Sequence, residues 1–176
     1  MHLIRFLLVI VALVATGCSR SPEPFPPPEQ RVGPLVEKPA TFGAFIAMND
    51  PHADAYILGD VSPKVEANVW RWTFRRPELQ FQVPSAEGWK FVMDFAIAGA
   101  TFERTGPVAL SVSINGRKLQ QQRYTKPGQY KMEFAVPPDA LKAGALNHVM
   151  IEPDKVWIST DGTALGFILV SAGFRR

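Results

Sequence analysis

From residue 40 onward the chain alternates between apolar and polar positions with the two-residue period of a β-strand. Val69–Phe74 sets Trp70, Trp72 and Phe74 against Arg71 and Thr73. Leu79, Phe81 and Val83 follow with polar residues between them. Trp89–Ile97 places Phe91, Met93, Phe95 and Ile97 on one face. Val108, Leu110, Val112 and Ile114 alternate with Ala109, Ser111 and Ser113. Asn115-Gly116 comes next; both residues tolerate positive φ, so a hairpin turn is predicted, with Lys118–Tyr124 returning antiparallel. Pro127-Gly128 marks another turn before Tyr130, Met132, Phe134 and Val136. Asn147–Glu152 and Leu165–Phe174 complete the strands, and Ala55–Leu58 is a weaker candidate. Pro137–Gly144 is the one short helical candidate in this region, with Asp139 placed to cap it and Gly144 to end it.

About eight short strands with turns every eight to twelve residues predict an all-β antiparallel sandwich or barrel. No long helix is left to serve as a crossover, which argues against a parallel α/β sheet.

The N-terminus follows a different pattern. Met1–Arg5 carries one positive charge, and Phe6–Ala15 is an uninterrupted apolar run, too short to span a bilayer, for which about 20 residues are needed. A charged start, a short apolar stretch and small residues ahead of a cut site describe an export signal over 1–17. Ala15-Thr16-Gly17-Cys18 resembles the bacterial lipobox, although alanine stands where leucine or valine is usual. The resemblance implies cleavage before Cys18, acylation of its thiol and new amine, and anchorage of the protein in a membrane. Ser19 rather than aspartate follows the cysteine, which by the same resemblance favours the outer membrane. Cys18 is the only cysteine, so no intramolecular disulfide exists. Ser19–Pro39 holds seven of the sixteen prolines and is expected to be a stiff, extended tether, reaching at most ~65 Å.

The remaining composition narrows the classes further. With 176 residues and 47% hydrophobic content, the chain can bury one domain's core, here 40–176. Nineteen basic and sixteen acidic residues give +3, with no long basic run, so nucleic acid is not an expected partner.

Candidate chemistry is sparse. Gly-x-Ser-x-Gly and a phosphate-binding glycine loop are both missing from the sequence, and no catalytic residues are assigned. Asp50, His52 and Asp54 would share one face if extended, but Pro51 favours a turn, so no metal site is assigned. Asp94 lies between Met93 and Phe95 and should point away from the apolar face. His148 is expected to face solvent from a strand start. Sugar rings stack their C–H faces on aromatic rings, with polar side chains taking the hydroxyls. Trp157, near Asp161, is the candidate platform, with burial as its alternative. Trp70 and Trp72 share a strand face and are expected in the core, which would turn Arg71 and Arg75 outward. The candidate ligand-binding set is therefore Trp157, Asp161, Arg71 and Arg75.

The order of several motifs resembles the galactose-binding-like jelly-roll sandwich, including modules found beside bacterial envelope glycosyltransferases. These motifs are Val69–Thr73 leading into Leu79–Val83, Ile114-Asn115-Gly116, the Pro137–Gly144 turn before Asn147, and Asp161 ahead of Leu165-Gly166 and Phe167–Phe174. An arginine common between that aspartate and the Leu-Gly pair is replaced by Gly162-Thr163-Ala164. The resemblance covers roughly residues 54–176 and implies a jelly roll; no cofactor is expected. It allows a structural calcium on carboxylates such as Glu152, Asp154 and Asp161. Two functions follow as expectations. One is a non-catalytic envelope lipoprotein that binds glycan or another envelope component. The alternative is a structural or assembly lipoprotein that makes protein contacts and has no small-molecule site.

Overall fold

The structure is a computed structural model that describes residues 42–176. The export signal, Cys18 and the proline-rich tether lie outside the described residues. The elements in chain order are β1 (Phe45–Ala47), α1 (Ala53–Tyr56), β2 (Ile57–Val61), β3 (Arg71–Gln82), β4 (Lys90–Ile97) and α2 (Gly99–Thr105). There follow β5 (Val108–Ile114), β6 (Arg117–Tyr124), β7 (Gly128–Ala135), a 3-10 turn (Pro138–Ala140), β8 (Leu146–Pro153), β9 (Trp157–Ile158), β10 (Ala164–Leu165) and β11 (Ile168–Arg175).

The strands form an all-β antiparallel sandwich. One sheet runs β1-β11-β4-β7 and the other β3-β8-β5-β6, with β2 added beside β3. The couples β3–β8, β4–β7 and β5–β6 are nested around the β5–β6 hairpin, which is the pairing of a jelly roll. The two sheets meet at a corner, where Arg71 and Trp72 of β3 pair with Leu169 and Ile168 of β11. Phe81, Phe91, Phe95, Phe167 and Phe174 fill the core, and Phe81 packs edge-on against Phe174 at 5.7 Å between ring centroids.

Turn chemistry fixes the register. Asn115 and Gly116 both have positive φ, 50° and 83°, as the sequence predicts for this hairpin. Asn147, fully buried, locks that turn to the Pro137–Gly144 segment. Its amide donates to Lys142 O and Ala145 O, and its Oδ1 accepts from Lys142 N and from Asn115 Nδ2.

Several expectations need correction. The closing strand is split, with Ala164–Leu165 pairing Trp157–Ile158 in a separate two-stranded ribbon. Val69–Phe74 and Leu79–Val83 are not two strands, because β3 runs continuously through Pro77. It does so on a bulge in which Asp60, at φ 56°, accepts the Arg76 N–H at 2.7 Å. Ala55–Leu58 is part helix and part strand. The Pro137–Gly144 segment is not the sole helical piece, since α1 and α2 are also helical. Asp139 does not cap the turn but pairs with Arg117 at 2.7 Å.

The most consequential correction concerns β3. Trp70 and Trp72 do not fill the core, and Arg71 does not project outward. Arg71 is 4% exposed and Thr73 is fully buried, whereas both tryptophans are half-exposed. The inward polar residues are fully partnered. Arg71 Nη1 meets Asp54 Oδ1 at 2.5 Å, and its Nε donates to Met48 O at 2.9 Å. Thr73 Oγ1 donates to Phe167 O and accepts from Phe167 N. With their hydrogen bonds made, these residues can occupy the inner face, and strand alternation then turns the indoles out.

Candidate functional site

The β3 reversal produces a distinctive outer surface on the β11-β4-β7 sheet. Trp72, Ile168, Ala96 and Gln129 stand in one register row across β3, β11, β4 and β7. Three strand spacings make that row about 14 Å wide. One row further on, Ser171, Asp94 and Lys131 are in register, and Trp70, two residues before Trp72, extends the same face. The two indoles touch edge to face, 5.6 Å between centroids at 90°.

A groove of about 510 Å³ lies on this surface beside the tryptophans, lined by Val69, Asp94, Phe95, Gln129, Tyr130, Lys131 and Val170. The alternation of β4 explains why Asp94 is here. Met93 and Phe95 are buried, so the residue between them faces out, as the sequence predicts. Ser171 Oγ donates to Asp94 Oδ2 at 2.9 Å and holds the carboxylate in place. Lys131 is drawn toward Glu133 at 3.5 Å, and Lys90 sits 3.0 Å from the same carboxyl. The hydrogen bond and charge of Lys90, then the charge of Lys131, hold the Glu133 carboxyl below its ordinary range. Val69 is 45% exposed at the rim. The Tyr124 hydroxyl is the one buried side-chain polar atom without a hydrogen-bond partner among the described residues. Among the described residues no acceptor meets the indole N–H of Trp70 or Trp72.

Of the four residues predicted as ligand-binding, Arg71 is set apart from the others. Arg71 is inside, bound to Asp54. Arg75 is exposed on the β3 bulge and lines a second groove, about 570 Å³, with Arg76, Glu152, Lys155 and Ile158. Trp157 is half-buried on β9 opposite Leu165. Asp161 shapes its own turn: it accepts the Ser159 hydroxyl and the Thr163 amide, and these bonds, the hydroxyl's first, hold its carboxyl below the ordinary value. The sequence did not flag Trp70 and Trp72 as surface residues. The signal was their alternation with two side chains that can be buried when partnered, and the partner Asp54 lies 17 positions away.

The other candidate clusters also resolve. Asp50 Oδ1 accepts the His52 amide, and Asp54 is taken by Arg71, so these three form a turn and an ion pair. His148 is exposed, as expected. Asp154 Oδ1 accepts the Ala109 amide at 2.7 Å. Among the described residues no three His, Cys, Asp or Glu side chains converge as a metal cluster.

No protein family and no curated protein matches the sequence. Solved structures do resemble the chain trace. One is an exo-β-1,3-galactanase from Phanerochaete chrysosporium, 11% identical, covering 77% of this chain and 29% of that one, with a TM-score of 0.44. Another is the mannan-recognising carbohydrate-binding module TmCBM27, 10% identical, covering 77% and 98%, at 0.47. A third is a family 35 carbohydrate-binding module from an environmental isolate, 16% identical, covering 80% and 90%, at 0.37. The chain spans less than a third of the first galactanase. At these TM-scores the likenesses say nothing about what this chain binds.

Proposed function

We propose that residues 42–176 form a non-catalytic carbohydrate-binding module on a lipid-anchored protein of the bacterial envelope. The observation that carries this reading is the outward pair Trp70 and Trp72 on the same sheet face as the Asp94 groove. An indole offers a flat apolar surface to the C–H face of a sugar ring, and its N–H remains available as a donor. Asp94 is an oriented acceptor for hydroxyls, and Gln129 adds both an acceptor and donors. Asp94 is also the single carboxylate lining this groove among the described residues. Glycoside hydrolysis uses a pair of carboxylates, so the surface suits binding rather than cleavage.

The proposed platform is the Trp70–Trp72 face, where the sequence pointed to Trp157. The anchor reading rests on the N-terminal sequence: the short apolar run, the small residues and Cys18. Acyl chains at Cys18 would hold the protein at the membrane, and Ser19 favours the outer one. No cofactor has a part in this function.

The test is a polysaccharide panel read by intrinsic tryptophan fluorescence, using the full chain purified in detergent. Saturable quenching or blue shift with one class of neutral glycan is expected. A folded protein that responds to no glycan would overturn the reading and favour the assembly alternative. Labelled palmitate incorporated into wild type and not into Cys18→Ser tests the anchor.

A further inference from the structure

Residues 104–132 contain six basic side chains, Arg104, Arg117, Lys118, Arg123, Lys126 and Lys131, and not one carboxylate. The fold gathers most of them along one border. β6 is a sheet edge, bonded only to β5, so one side of its backbone is open. Lys118, Gln121 and Arg123 pair with Ser113, Ser111 and Ala109, which puts all three on the outer face of that sheet. Lys126 follows in the exposed turn to β7. Arg117 is matched by Asp139 and Lys131 by Glu133, but among the described residues no carboxylate pairs with Lys118, Arg123 or Lys126. Gln121, on the same face, accepts from Lys118 Nζ through its Oε1 at 2.9 Å, and its amide N–H groups can donate to carboxylates.

We propose that the β6 edge binds an acidic polysaccharide, a linear glycan bearing carboxylate or phosphate groups. This surface is separate from the Trp70–Trp72 face. Its shape decides between partners. The eight residues of β6 span about 27 Å, while Glu152, Asp154 and Glu78 border the strip from β8 and β3, Asp154 reaching the Ala109 amide, so the basic strip is at most about 10 Å wide. A narrow, long strip fits an extended chain. A bilayer surface would press Glu152 and Glu78 against anionic headgroups, and like charges repel.

The test uses the full chain in detergent and polygalacturonate as the probe. Binding should weaken roughly tenfold or more between 50 and 250 mM salt, as expected when several ion pairs form with a polyanion. Arg123→Glu/Lys126→Glu should lower the affinity at least tenfold. Arg75→Glu/Arg176→Glu, an equal charge change elsewhere, should alter it less than threefold. Trp70→Ala/Trp72→Ala should keep polygalacturonate binding, which separates this surface from the neutral-glycan site. Equal losses in the two charge-reversed variants would overturn the proposal, as would loss on removing the tryptophans. Binding to phosphatidylglycerol vesicles that Arg123→Glu/Lys126→Glu weakens, with none to polygalacturonate, would also overturn it and assign the edge to the membrane.

Discussion

The guanidinium of Arg71, 5% exposed, meets the carboxylate of Asp54, 75% exposed, at the sandwich wall, and this contact sets which way β3 faces. Arg71 cannot leave the interior without losing both that contact and Met48 O. Asp54→Asn keeps the shape and removes the charge. The structure predicts a loss of about 1 kcal/mol in denaturant unfolding, since the Asn oxygen still accepts from Arg71 and only the charge on the acceptor is removed. A change below the error of the measurement would mean that Met48 O alone suffices to hold Arg71.

The buried Tyr124 hydroxyl without a partner is a liability of the core. Its ring packs against Phe95 at 5.1 Å and Tyr130 at 4.6 Å. Burial, and secondarily the neighbouring Tyr130, push its pKa up to about 12. The folded state therefore favours the neutral phenol. This contribution is intact below the ordinary tyrosine value near 10 and is lost as pH rises from there toward 12. Tyr124→Phe removes an unsatisfied polar group, so its Tm at neutral pH should rise and its alkaline decline should flatten. Ultraviolet titration of phenolate with thermal melts from pH 9 to 12 measures both. A lower Tm with an unchanged alkaline slope would contradict this.

Gly173 is where β1 closes onto β11. Its φ is 144°, and a Cβ there would lie 2.3 Å from Ala44 O and 2.5 Å from Phe45 Cα. Gly173→Ala must push β1 away and weaken the stacking of Arg175 on Phe45, 3.9 Å from the ring centroid. A loss of about 2–4 kcal/mol is expected, together with faster amide exchange over Phe45–Ala47. Wild-type exchange in β1 would contradict it.

Much of the fold was legible because alternation and turn chemistry act locally. Val108–Ile114 and the Asn115-Gly116 turn were read correctly, since each side chain's face follows from its neighbours. The outward direction of Asp94 was legible for the same reason. The phase of β3 was not. Six residues from Val69 to Phe74 read equally well in either phase once polar inward positions have partners, and those partners come from Asp54, Met48 and Phe167. The short helix α2 was missed because its seven residues carry no side-chain cap and little periodicity. The candidate site inherits the error in β3, which is why Trp157 was favoured over Trp70 and Trp72.

Calorimetric titration of the responding neutral glycan into wild type, Trp72→Ala, Asp94→Asn and Trp157→Ala tests the central claim most directly. Base stacking on an aromatic ring is worth on the order of 1–3 kcal/mol, and on the same scale for a sugar face Trp72→Ala should weaken binding about 5- to 150-fold. Asp94→Asn should weaken it by a smaller factor, and Trp157→Ala should leave it within twofold. Full binding by Trp72→Ala together with loss in Trp157→Ala would contradict the account and return the site to the β9–β10 ribbon.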